Sequence, residues 1–176
     1  MNLNKKILLA IDPGDVQSAF CFIDTETYKP LYFAKEDNSI AMTNISSYIK
    51  INNNINNILN VAIEMIASYG MGVGKTVFDT CVWIGRFSER LESYGCKVNY
   101  VYRKDETMNL CGSMRAKDSN VRIALIDRFA KFDYKNGKGT KKNPDWFYGF
   151  SADIWAAYAC GVTWIDAQKG IYKMIN

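Results

Sequence analysis

Histidine is absent from the 176 residues of this chain. That excludes a Ser-His-Asp triad, a Cys-His dyad, an H-E-x-x-H zinc site and any histidine general base. Polar chemistry must therefore come from carboxylates, lysine, hydroxyls or a bound metal. Five cysteines (Cys21, Cys81, Cys96, Cys111, Cys160) stand far apart with no C-x-x-C pair. This argues against a zinc site and a disulfide framework, and it suits buried thiols in a reducing cytoplasm. Apolar runs such as ILLAI are too short to cross a bilayer, and Asp12 interrupts the first of them before a signal-peptide core can form. No membrane association is expected.

What is present is a globular composition, 48% hydrophobic and 23% charged, of a length that suits one domain across residues 1–176. The net charge of +4 hints mildly at a polyanionic partner. Short apolar runs predict strands at 5–12, 18–24, 29–35, 60–65 and 97–103. Spaced apolar positions predict helices at 39–59, 76–94, 119–132 and 151–167, although six asparagines between 52 and 60 weaken the first. The order is that of an α/β domain with parallel crossovers in its second half. In helix 76–94 the apolar residues cover more than the stripe one sheet contact needs, so a second contact surface is expected.

Three carboxylates occupy telling places. Asp12 ends the first strand in ILLAIDPG, Glu64 ends the fourth in NVAIEM, and Asp153 opens the last helix in SADIW. If strands one and four are parallel neighbours, Asp12 and Glu64 meet at the strand C-termini, where open α/β sheets place their sites. Asp12-Pro13-Gly14 also reads as turn chemistry, and Asp153 as an acid favoured by a helix dipole. Glu64 has no such structural duty. An all-oxygen site without histidine selects Mg²⁺, with Mn²⁺ as a substitute. Two such ions can activate water and stabilise a leaving oxygen in phosphodiester hydrolysis.

The segments ILLAIDPG, NVAIEM and SADIWAAYA, with GMGVGKTVFDTCVWIGRF and AKDSNVRIALIDRF between them, resemble RuvC-type Holliday junction resolvases of the RNase H-like superfamily, most closely the phage-borne branch. The resemblance runs over nearly the whole chain. It implies an RNase H-like fold with a five-stranded mixed sheet flanked by helices, in a homodimer of a bacterial or phage-infected host cytoplasm. It also implies Mg²⁺-dependent paired nicking of four-way DNA junctions, with Asp12, Glu64 and Asp153 as catalytic, metal-binding carboxylates. Cellular resolvases carry an acidic or histidine ligand one helical turn before the last aspartate; here that position is Phe150. Asp118 and Asp145 are the candidates for a fourth ligand, Asp118 being equally a cap for helix 119–132.

YGMGVGKT imitates a phosphate-binding loop, but Tyr69 stands where the Walker pattern needs its first glycine, and Lys75 where the dinucleotide fingerprint needs its third. No nucleotide cofactor is expected. Lys75 could instead meet a DNA phosphate near a helix N-terminus, and the resemblance carries the loop into the junction with Tyr69 and Met71 as wedges against bases. Arg115, Lys117, Lys138, Lys141 and Lys142 are further candidates for phosphate contact; the bland reading of the last three is a solvated loop. Actin-like sugar kinases, which share an Asp-Pro-Gly after the first strand, need two such domains and are too long. The rivals are a nuclease of the same fold acting on flaps or forks, and a non-catalytic branched-DNA-binding protein.

Overall fold

The computed structural model describes residues 7–51, 60–68, 70 and 72–175. The chain runs β1 (Ile7–Asp12), β2 (Gln17–Asp24), β3 (Pro30–Asp37), α1 (Asn38–Ile51), β4 (Asn60–Met65), α2 (Lys75–Glu92), β5 (Lys97–Tyr102), α3 (Arg103–Cys111), α4 (Asp118–Phe129) and α5 (Ile154–Gln168). The strands form one mixed sheet in the order β3-β2-β1-β4-β5. β1 pairs antiparallel with β2 and parallel with β4, and β4 pairs parallel with β5. The predicted strands 1 and 4 are therefore neighbours. The far half of the helix expected at 39–59 lies outside the described residues.

Period-2 alternation sorts the sheet into two cores. Leu9, Ile11, Phe20, Phe22, Val61 and Ile63 face one way, with residues of α1 and α2. Leu8, Ala10, Ala19, Cys21, Ile23, Ala62 and Val101 face the other, with residues of α4 and α5. Alanines on that second face let α5 lie close: a Cβ at Gly161 would stand 2.4 Å from Ile23 Cδ1 and 2.9 Å from the Ala10 Cβ. Residues 153, 157 and 161 repeat every four positions, so the stripe that seats α5 on the sheet also leads back to Asp153.

Two elements depart from the sequence reading. Helix α3 is not expected from the sequence, because its buried residues are Asp105, Glu106 and Thr107 rather than an apolar stripe. Helix α4 stops at Phe129 instead of 132. There the chain turns extended at Ala130, and the amides of Lys131, Phe132 and Asp133 bond to Asp145 instead of continuing the helix. Helix α2 buries Ile84, Phe87 and Leu91 against the sheet but leaves Phe78 60% and Val82 58% exposed. Its apolar surface is thus wider than its own fold covers.

Candidate metal centre

Asp12 and Glu64 follow Ile11 and Ile63, which are paired across the parallel β1–β4 ladder. By alternation both carboxylates emerge on the α5 face, beyond Ala10 and Ala62. Enclosure, then the charge of Glu64, then that of Asp153 push the Asp12 carboxyl up to about 8. Burial chiefly raises Glu64 too, and the charge of Arg103, then a hydrogen bond with Asp12, oppose that rise. Bringing the two carboxyls together thus penalises ionising both at once. Two carboxylates forced together in this way are stabilised by sharing a proton or by a cation.

Asp153 sits at the N-cap of α5, where the helix dipole favours an acid, but its side chain makes no capping hydrogen bond. The preceding Ala152 has φ 39°, a left-handed conformation unusual for a side-chain-bearing residue. Asp153 instead pairs with Lys35 of β3 at 2.5 Å. Lys35 lies opposite Ala19 of β2, which lies opposite Asp12, so one row of the sheet carries lysine and carboxylate toward the same edge.

A carboxylate that the sequence reading missed lies within the electrostatic reach of Glu64 and Asp12. Glu106 of α3 is fully buried. Its Oε2 accepts from Arg103 Nη1 at 2.8 Å, while its Oε1 has no hydrogen-bond partner. Burial first, then the charge of Glu64, drives its carboxyl well above the ordinary range, and Asp12 adds to the effect. Arg103 binds Asp118 through its other nitrogen, Nη2. Lys35 and Arg103 are thus the internal cations of the site. Among the described residues no three carboxylates already close on one point as a finished metal cage. The donor chemistry nevertheless suits a hard divalent cation: oxygen ligands only, convergent charge, and one buried oxygen with no partner.

No protein-family model and no curated protein matches the sequence. Solved structures do. The chain is similar to the Thermus thermophilus RuvC structure, at TM-score 0.64 and 15% identity, over 95% of this chain and 98% of that one. It is likewise similar to T. thermophilus RuvC in complex with a Holliday junction substrate, at TM-score 0.62 and 14% identity, with the same coverage. This chain has the RuvC fold.

Within this RuvC fold the remaining candidates separate clearly. Asp118, in the first turn of α4, is exposed and tied to Arg103, near enough to Glu64 for its charge to be felt there. It does not cap α4; the N-cap residue is Lys117, whose amide bonds to Asn120 Oδ1. Asp145 is committed elsewhere. Its Oδ1 accepts from the amides of Lys131 and Trp146, and its Oδ2 from those of Phe132 and Asp133. Burial opposes its charge, but these four donors prevail and hold its pKa down at about 2. Phe150 belongs to an aromatic core, 4.6 Å from Phe33 and 5.1 Å from Phe147 between ring centroids.

Lys75 is exposed on the first turn of α2 and pairs with Asp79. Arg115 and Lys117 lie on the turn before α4, Arg115 exposed and Lys117 with its amide bonded as above. The lysine-rich loop is a built hairpin, with Gly139 bridged to Pro144 and the amides of Lys138 and Gly139 bonded to Asp133 Oδ2. Gly139 has φ 64°, and a Cβ there would meet the Asn143 carbonyl oxygen at 2.4 Å, so glycine is required. Lys141 and Lys142 are exposed on it. Tyr69 and Met71 lie outside the described residues. Among the described residues no helix is long and apolar enough to cross a membrane.

Proposed function

We propose that the protein is a metal-dependent endonuclease that resolves four-way DNA junctions by paired, symmetrical nicks. The observation that carries this is the meeting of Asp12 and Glu64 on adjacent parallel strands, with Asp153 close enough for its charge to act on both. Asp12, Glu64 and Asp153 would hold Mg²⁺ or Mn²⁺. Held by these carboxylates, such ions would supply Lewis-acid chemistry for phosphodiester hydrolysis.

The chain's own groups do the rest. The apolar strands behind Asp12 and Glu64 deny them alternative partners and keep their oxygens at the sheet edge. Lys35 and Arg103 offset the carboxylate charge before a cation arrives. Lys75, Arg115, Lys117 and the hairpin lysines Lys138, Lys141 and Lys142 supply phosphate contacts on the arms of branched DNA. A groove at the start of α4 is lined by Asp118, Ser119, Arg122, Lys135 and Trp155. Arg122 stacks over the Trp155 ring at 4.9 Å.

Junction preference draws support from the neighbouring RuvC structure that was solved with a Holliday junction. A homodimer fits symmetrical nicking, since a two-fold assembly presents two identical sites to two equivalent strands. The uncovered Phe78 and Val82 face of α2 is a suitable interface. The test is a parallel digest of a labelled four-way junction, a flap, a fork and a duplex, with Mg²⁺ and with EDTA. Paired nicks confined to the junction and to Mg²⁺ support the reading. Preferential flap or fork cutting would move the substrate, and binding without any cutting would leave a non-catalytic branched-DNA-binding protein.

A further inference from the structure

We propose that Glu106 is a further ligand of the metal centre, entering it from α3 through its free oxygen Oε1. The inference rests on the metal-centre reading above and adds a residue to it.

Geometry carries the argument. Glu106 is fully enclosed, yet only Oε2 is engaged, by Arg103. An ion pair built for stability would satisfy both oxygens, because a buried unpartnered carboxylate oxygen forfeits its hydration without return. Among the described residues the other buried orphan is Asp105 Oδ2, whose companion Oδ1 holds the C-terminal segment by accepting from Tyr172 Oη and the Ile175 amide. Asp105 thus has a structural duty that explains it. Glu106 has none beyond Arg103.

Its surroundings point to a cation. The charges of Glu64 and Asp12 act on the enclosed Glu106 carboxyl, and all three act on the buried thiol of Cys160 in α5, so the three groups lie within electrostatic reach of one another. Arg103 compensates part of that charge and fixes the Glu106 rotamer while also holding Asp118. Phe150, packed in the aromatic core, brings no donor from the α5 side. Glu106 offers one from α3.

The experiment is calorimetric titration of the full-length protein with Mn²⁺ in the absence of DNA, comparing wild type, Glu106→Gln and Glu64→Gln. In Glu106→Gln the amide oxygen keeps the bond to Arg103 and the side chain keeps its volume, but the charge is gone. Mn²⁺ affinity is expected to fall at least tenfold in Glu106→Gln, with the metal-free melting temperature held or raised and junction binding in EDTA unchanged. Wild-type affinity in Glu106→Gln beside lost affinity in Glu64→Gln would overturn the role of Glu106 and leave the metal centre standing. Unchanged affinity in both variants would sink the metal-centre reading itself. Should Glu106→Gln be too unstable to titrate, Glu106→Asp carries the test: it keeps the charge for Arg103 but withdraws the carboxylate by one methylene. A fivefold or greater loss of Mn²⁺ affinity supports the proposal, and wild-type affinity overturns it.

Discussion

Replacing Asp12 with asparagine should stabilise the metal-free protein, and the size of the effect should depend on pH in a defined way. The Asp12 carboxyl is raised from 3.8 to about 8 by burial and by Glu64 and Asp153. A carboxyl that holds its proton more tightly when folded adds most to stability below its unfolded pKa. That contribution is lost as pH rises through the folded value. The wild type should therefore lose stability between about pH 4 and pH 8 through this group. At pH 7 the cost is roughly 2–4 kcal/mol, once solvent screening and the proton shared with Glu64 are allowed for. In a domain of this size that corresponds to a gain of roughly 5–15 °C in melting temperature for Asp12→Asn. The asparagine amide can still donate to Glu64. Thermal melts of both proteins in EDTA at pH 4.5, 6, 7 and 8 would read this directly: the gap should be small at the lowest pH and widen toward pH 8. Added Mg²⁺ should narrow or reverse it, because only the wild type gains from binding the ion. A variant that is less stable at every pH would refute the reasoning and return Asp12 to the role of turn former.

Asp145→Asn should destabilise the protein by roughly 1–3 kcal/mol at pH 7, since an amide cannot accept from all four backbone donors; urea unfolding would measure it. With a folded pKa of about 2 against an ordinary 3.8, the stability Asp145 supplies is present above pH 4 and fades as pH falls toward 2, so the gap between the two proteins should close in acid. Phe150→Ala should cost ~3–5 kcal/mol by opening a cavity among Phe33, Phe147, Trp155 and Tyr158; a loss under about 1 kcal/mol would contradict its placement in the core. Replacing Lys138, Lys141 and Lys142 together with alanine should lower the slope of log junction affinity against log salt by about 0.9 for each phosphate contact removed, and an unchanged slope would mark the hairpin as a solvated connection. Phe78→Glu with Val82→Glu should shift sedimentation from dimer to a monomer near 20.0 kDa without lowering the melting temperature of the monomer fold.

The parts of the fold visible in the sequence are those written in apolar periodicity. All five strands stand within three residues of their expected bounds, because each is a short apolar run with two faces to place. The convergence of Asp12 and Glu64 is legible because each ends an apolar run in a parallel strand, and the chain order makes β1 and β4 candidate neighbours. Helix α3 escapes for the opposite reason. Its buried residues are polar, and a helix held inside by Arg103, Asn109 and the carboxylates they meet leaves no hydrophobic stripe to read. Glu106 is lost with it, as is Lys35, whose pairing with Asp153 spans most of the chain. The commitment of Asp145 to four backbone amides is equally invisible, since the turn that presents them exists only once α4 has stopped at Phe129.

The most direct test of the account is nicking of a labelled four-way junction by wild type, Asp12→Asn, Glu64→Gln and Asp153→Asn in Mg²⁺. Junction binding in EDTA would be measured beside it on the same preparations. The expected result is paired nicks by the wild type alone, a loss of at least about a hundredfold in each variant, and binding in EDTA preserved in all four. Near wild-type cutting by Glu64→Gln would contradict the account, because that carboxylate has no other duty at the end of β4.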